Sequence, residues 1–207
     1  MLNYVTAWQL LHRTAHVRPG QSVLVLGAAG GVGSALVELA RAADITVYGT
    51  SSPGRRGSVE GAGARWVPGA NELSEKVDAV FDAVGGPSLR ASRQATRAGG
   101  GVVSYGFSFT VGAGHSKHGG LARTVAALIR TKLTPGPAVR LYRVEKAAHD
   151  DPAAYREDLT RLVDMLADGR IHPRVTVMPL VEAAEAHRRL EAREIVGKLV
   201  LDPNGTP

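Results

Sequence analysis

Apolar positions along the chain follow two rhythms. Val5, Trp8, Leu11 and Ala15 recur at spacings of three and four, which predicts an amphipathic helix ending near His16, followed by a Pro19-Gly20 turn. Residues 21–26 (QSVLVL) are instead a short apolar run, the mark of a buried strand. Residues 31–43 return to helical spacing, with Val32, Ala35, Leu36, Leu39 and Ala40 on one face. Further strands are predicted at 45–49 (ITVYG), 77–84 (VDAVFDAV) and 101–107 (GVVSYGF), and helical stretches near 57–61 and 88–97. Continuous apolar strands alternating with helices predict a parallel sheet covered on both faces.

The last third opens with Asp151-Pro152, a good N-cap followed by a residue suited to the first helical position. Tyr155, Leu159, Leu162, Val163 and Leu166 are expected to line one face of that helix, and Gly169 to end it. A strand at 174–178 (RVTVM), a helix at 182–191 and a closing strand at 197–201 (GKLVL) complete the chain, without internal repeats or low-complexity tracts.

Composition narrows the class. A chain of 207 residues accommodates one or two domains and a core of its own. Apolar residues at 44% and charged residues at 21% are ordinary globular values. Zero Cys rules out disulfides, thiolate zinc sites and cysteine nucleophiles. The net charge of +6 is scattered rather than striped and no RNP, zinc-finger or helix-turn-helix pattern appears, so no nucleic-acid partner is expected; an anionic small molecule suits the balance better. The N-terminus lacks a signal-peptide pattern. The two longest charge-free runs, 19–37 and 98–116, hold too many glycines and polar side chains for membrane helices. A soluble cytoplasmic protein without a membrane partner is the expectation.

Glycine supplies 25 residues, above the usual share of about 7%. Four of them, Gly27, Gly30, Gly31 and Gly33, cluster between the first strand and the following helix. The dinucleotide fingerprint maps onto Ala28-x-Gly30-x-x-Gly33, with Ala in first place. Glycine in such a turn lets the backbone swing back, lets a pyrophosphate reach the free N–H groups of the helix, and lets helix and strand pack closely. The fold class is therefore α/β: a Rossmann-type doubly wound parallel sheet with helices on both faces, plus a short C-terminal α/β extension. Residues 1–140 form the dinucleotide-binding domain in this reading and 141–207 the extension.

An NAD-binding site usually has Asp or Glu about 20 residues past the fingerprint. Thr50 stands there, and Asp44 precedes the strand. Thr50, Ser51 and Ser52 offer hydroxyls and Arg55 and Arg56 guanidinium groups, a set suited to a 2′-phosphate and hence to NADP(H). A polar loop with solvated arginines is the alternative.

Other constellations are weaker. The seven histidines suggest no metal site; His115 and His118 share a face but lack a third ligand. Tyr142 and Lys146 have Y-x-x-x-K spacing, read as a chance pair on a solvated helix face. No P-loop and no G-x-S-x-G elbow is present. Asp78 and Asp82 fall in a buried strand, Asp82 as a structural group near its end. The catalytic residues are unassigned; Tyr105 is a candidate proton donor, with packing in the strand as the alternative. Residues 107–120 read as a connector before a lid.

The segments NYVTAWQLLH (3–12), AAGGVG (28–33), YGTSS (48–52), GA (63–64), FDAVGG (81–86), GGGVVSYG (99–106), LADGRI (166–171) and GKLVL (197–201) occur in this order along nearly the whole chain. Together they resemble the zinc-independent quinone oxidoreductase branch of the medium-chain dehydrogenase/reductases. The resemblance implies NADPH-dependent hydride transfer to a quinone or an α,β-unsaturated carbonyl. It places Thr6 near the nicotinamide and Ala29, Gly30, Gly31 and Val32 at the pyrophosphate. It places Ser51, Ser52, Arg55 and Arg56 at the 2′-phosphate, and Ala83, Val84, Gly106 and Phe107 along the ribose and nicotinamide. It also implies a homodimer paired through an edge strand.

Family members carry an N-terminal barrel-like domain ahead of the segment at which this chain starts, and the two C-terminal strands normally pack on it. Three accounts follow: a fragment of a longer enzyme, a subunit completed by a partner chain, or a minimal protein with a repurposed site. The alternative function is thus a non-redox nucleotide-binding module or partner subunit, including a cyclase or isomerase. The link 68–76 (PGANELSEK) leaves room for only about two helical turns.

Overall fold

The computed structural model describes residues 1–86, 88–106, 134–192 and 194–205. Six parallel strands form one sheet: β1 (Ser22–Leu26), β2 (Thr46–Thr50), β3 (Arg65–Val67), β4 (Val77–Asp82), β5 (Thr96–Ser104) and β6 (Ala138–Leu141), in the order β3-β2-β1-β4-β5-β6. Strand order reverses at β1, the crossover of a doubly wound fold.

Alternate residues of β1 explain its continuous apolar run. Val23 and Val25 enter a core with Leu36 of α2 (Gly31–Ala42) and Val5 of α1 (Leu2–Trp8). Leu24 and Leu26 face the opposite way, into a second core with Leu89 of α4 (Ser88–Ala95) and Val102. Each large side chain buried this fully contributes roughly 1.5–3 kcal/mol. α3 (Arg56–Gly61) joins the first core through Val59.

Most predicted elements stand, with shifted ends, and several readings need correction. The first helix leaves α geometry at Gln9 and runs as a π-helix over Gln9–Thr14. β5 begins at Thr96, so the predicted 88–97 helix stops at Ala95. β3 and β6, of three and four residues, show too little alternation for the sequence to announce them. α5 (Val144–Asp150), all of whose residues stay at least partly exposed, was likewise unsignalled. Tyr142 precedes α5 and is buried rather than solvated; its hydroxyl donates to Gln9 while Lys146 pairs with Asp150. Asp78 is only half-buried.

α6 (Pro152–Ala167) starts as expected, with the Asp151 carboxylate accepting from the Ala154 amide at 2.9 Å. Its inward face differs: Asp158, Leu162 and Met165 are buried, whereas Val163 and Leu166 are 47% and 42% exposed. A charged residue takes a core position because Arg13 and Gln9 neutralise and bond it, as described below. α7 (Ala183–Glu191) lies between β7 (Val175–Pro179) and β8 (Lys198–Asp202), which pair in parallel as a separate two-stranded sheet. Val175, Val177 and Val200 of that sheet are largely exposed. Its end docks on the main body, where the Gly197 amide donates to the Ala29 carbonyl at 3.3 Å. Among the described residues, no helix is long and apolar enough to cross a membrane.

Candidate functional site

The in-register ends of the parallel strands set one edge of the sheet: Leu26 pairs with Asp82, Asp82 with Ser104, and Val25 with Gly49. The segments that follow β1, β2, β4 and β5 therefore emerge side by side. They contain Ala29 to Val32, Ser51 to Arg56, Ala83 with Val84, and Tyr105 with Gly106. Phe107, His115, His118 and residues 108–120 lie outside the described residues.

The turn after β1 is built by glycine. Gly27 has φ of 76°, in the left-handed region. Its amide donates to Thr50 Oγ1 at 3.2 Å, and the Ala28 amide donates to the Thr50 carbonyl at 2.8 Å, so the end of β2 clamps the turn. Gly30 is the N-cap of α2 and supplies no side-chain cap, which leaves the first-turn N–H groups without an acceptor side chain among the described residues. A Cβ at Gly33 would overlap the Gly27 carbonyl oxygen and lie 2.9 Å from Ala28 Cα. A Cβ at Gly31 would overlap the Asn3 amide and lie 3.2 Å from the Gly197 carbonyl oxygen. The glycines thus pack the turn tightly onto its neighbours, and the uncapped end of α2 presents backbone donors and the positive end of the helix dipole, which together favour an anion.

The β2 end carries Ser51, whose hydroxyl accepts from Trp66 Nε1 at 3.1 Å and donates to the Ser52 carbonyl at 3.0 Å. Arg56 is exposed, pairs with Glu60 at 2.9 Å and stacks over the Trp66 ring at 5.2 Å; Arg55 is half-buried beside it.

At β4, Asp82 is fully buried and saturated. It accepts from the Val84 and Gly85 amides at 2.9 Å, from Ser88 Oγ at 2.7 Å and from Ser92 Oγ at 2.7 Å. Asp82 therefore shapes the Ala83–Val84 turn, in accord with the structural role read from the sequence. A Cβ at Gly106 would overlap the Ala83 carbonyl oxygen, so these two backbones run in contact. The Tyr105 hydroxyl is buried with no hydrogen-bond partner among the described residues. Burial, with Asp82 adding, pushes its pKa up, which keeps it a proton-bearing donor.

Thr6 stands apart from these loops. It is buried in α1, and its hydroxyl bonds Tyr142, just past the end of β6. Tyr142 donates to Gln9 Oε1 at 2.7 Å, Gln9 Nε2 donates to Asp158 at 2.9 Å, and Arg13 grips both Asp158 oxygens at 2.7 Å. Sequence reasoning missed this network. Its traceable signals were Gln9 inside an apolar helix and Asp158 beside Leu162.

Residues 58–201 match the family described as zinc-binding dehydrogenase. The synaptic vesicle membrane protein VAT-1 homolog of Mus musculus is 29% identical over 98% of this chain and 54% of its own length. The 2-haloacrylate reductase of Burkholderia sp is 30% identical over 98% of this chain and 62% of its own. The solved structure of mycobacterial Rv1454c complexed with NADPH has a TM-score of 0.74 and 26% identity, covering 98% of this chain and 64% of that one. The chain spans about half the length of the curated VAT-1 relatives it matches. The family's description names zinc, but this chain has no Cys, and no group of three His, Asp or Glu among the described residues could hold a metal ion. The described residues do not fit a zinc site.

Proposed function

The chain belongs to the zinc-binding dehydrogenase family, and from that premise we propose that it is an NADPH-dependent oxidoreductase acting on a quinone or an α,β-unsaturated carbonyl. One observation carries the reading: a glycine turn on an uncapped helix, at the crossover of the sheet, flanked by the hydroxyls and arginines that follow β2. The NADPH complex of one structural relative and the haloacrylate reductase among the sequence relatives support it.

In this proposal the α2 N–H groups around Gly30, Gly31 and Val32 bind the pyrophosphate, with Ala29 completing the turn. Thr50, Ser51, Ser52, Arg55 and Arg56 select the 2′-phosphate, because guanidinium forks and hydroxyls bond phosphate oxygens and no carboxylate stands at the end of β2 to claim a ribose hydroxyl. Ala83, Val84 and Gly106 present smooth backbone to the nucleoside, whereas Thr6, buried and bonded to Tyr142, takes no part in holding the cofactor. When bound, NADPH supplies the hydride. The chain's own contribution is to orient the cofactor and hold a protonated Tyr105 near the same edge. A homodimer paired along β6, where Leu141 is 45% exposed, belongs to the same proposal.

Titration of the chain with NADPH and NADH, followed by quinones and enones, tests this reading. NADPH is expected to bind more tightly than NADH and to be oxidised only as an acceptor is consumed. Absence of saturable NADPH binding overturns the whole reading. Binding with no acceptor reduced removes the redox half and favours a non-redox nucleotide-binding module.

A further inference from the structure

The opposite edge of the sheet, at the amino ends of the strands, holds a cavity of about 940 Å³. Its walls carry Lys76 just before β4, Arg93 in the last turn of α4, Arg97 early in β5 and Arg140 in β6. Among the described residues, the one carboxylate in the lining is Asp78. It is saturated, accepting from the Ser22 amide at 2.8 Å and from Gln21 at 3.2 Å, and pairing with Arg97 at 3.0 Å.

The other three cations have no such partner. Arg93 is half-buried and held by neutral oxygens, the Pro137 carbonyl at 3.0 Å and the Thr134 carbonyl at 2.8 Å. Arg140 is exposed and makes one long bond, 3.4 Å to the Thr14 carbonyl. Lys76 is exposed. Among the described residues none of the three has a carboxylate within ion-pair distance, and residues 107–133 carry no Asp or Glu to supply one. Three cations without a carboxylate partner around one cavity repel one another.

The floor is bare. Gly99 has φ of 82° and a Cβ there would meet nothing, while one at Gly101 would meet only Arg140 at 3.6 Å and the Ala138 carbonyl at 3.8 Å. Cations converge on space that no side chain among the described residues fills, in a volume usual for small-molecule sites. Guanidinium forks fit phosphate oxygens, and three positive charges match a ligand with several negative ones. Gly99 and Ser104 are five residues apart on β5, about 16 Å at roughly 3.3 Å per residue, so this edge is distinct from the proposed cofactor edge.

We propose that this cavity is a second binding site, for the polyphosphate group of a small molecule, formed by Lys76, Arg93 and Arg140 over the Gly99–Gly101 backbone. It does not rest on the cofactor reading.

The probe is inorganic tripolyphosphate, titrated calorimetrically into the 207-residue chain at low ionic strength. Saturable binding is expected that weakens as salt rises. The variant K76E/R140A is expected to weaken it by roughly tenfold or more, while R55A/R56A at the other edge leaves it unchanged. Both Lys76 and Arg140 are exposed, so the wild-type melting temperature is expected in the variant; should the double variant not fold, Lys76→Glu alone carries the test. No saturable binding, or binding lost in R55A/R56A and kept in K76E/R140A, overturns the proposal.

Discussion

A methyl group added at Gly33 has nowhere to go, because the Gly27 carbonyl oxygen and Ala28 Cα already occupy its place. Gly33→Ala should therefore destabilise the chain by roughly 1–3 kcal/mol, read from urea midpoints, and weaken NADPH binding with it. Gly57 is the contrast: it lies in α3, and a Cβ there would meet nothing within 4 Å, so Gly57→Ala should stabilise by about 0.5–1 kcal/mol. Equal effects at the two sites would refute the packing argument. Arg55 and Arg56 separate function from stability. The exposed Arg56–Glu60 pair is worth at most about 0.5 kcal/mol, so losing that pair should cost R55A/R56A little stability. Its NADPH affinity should fall about tenfold or more while NADH affinity holds; a parallel fall for both cofactors would mean that the arginines do not read the 2′-phosphate. These residues were legible beforehand because a turn of this kind needs glycine at set spacings. Asn3 and Gly197, which close over Gly31, were not, since they arrive from distant parts of the chain.

The long, strongly patterned elements, α2, β1 and β4, were readable because burial on one or both faces imposes a period on the sequence. The elements that escaped are held by their neighbours instead: β3 by the edge of β2, β6 by the edge of β5. The π-helix belongs with them. Its widened turn accompanies Gln9 and Arg13 reaching Asp158 on α6, a contact 145 residues or more away in sequence. His12 in the same turn packs on Trp8 at 4.2 Å, and its pKa is lowered mainly by burial, with Asp158 opposing and Arg161 reinforcing. The folded state thus holds this imidazole below its ordinary 6.5, and the unfolded chain takes up the proton first as pH falls. Stability should be level above that value and drop as pH falls through it. Urea midpoints at pH 7.5 and 5.5 should show the drop shrinking in His12→Gln, and an unchanged drop would exclude His12 as its source.

For the molecule as a whole, the open edges matter most. β6 leaves one side unpaired in the described sheet, with Leu141 exposed on it. If copies pair along this edge, sedimentation should show a dimer and Leu141→Lys should shift it toward monomer; a monomeric wild type would end that part of the proposal. The doubly wound class, the glycine turn and the missing acid at the end of β2 all followed from the order of residues, because period, glycine spacing and charge are local properties that no distant contact has to supply. The inward face of α6 did not. Asp158 is buried and Val163 exposed because Gln9 and Arg13 wait on the far side, and hydrophobicity alone would have reversed them. The cationic cavity at the amino edge is of the same kind: Lys76, Arg93 and Arg140 lie far apart along the chain, and only the parallel register of β4, β5 and β6 draws them together.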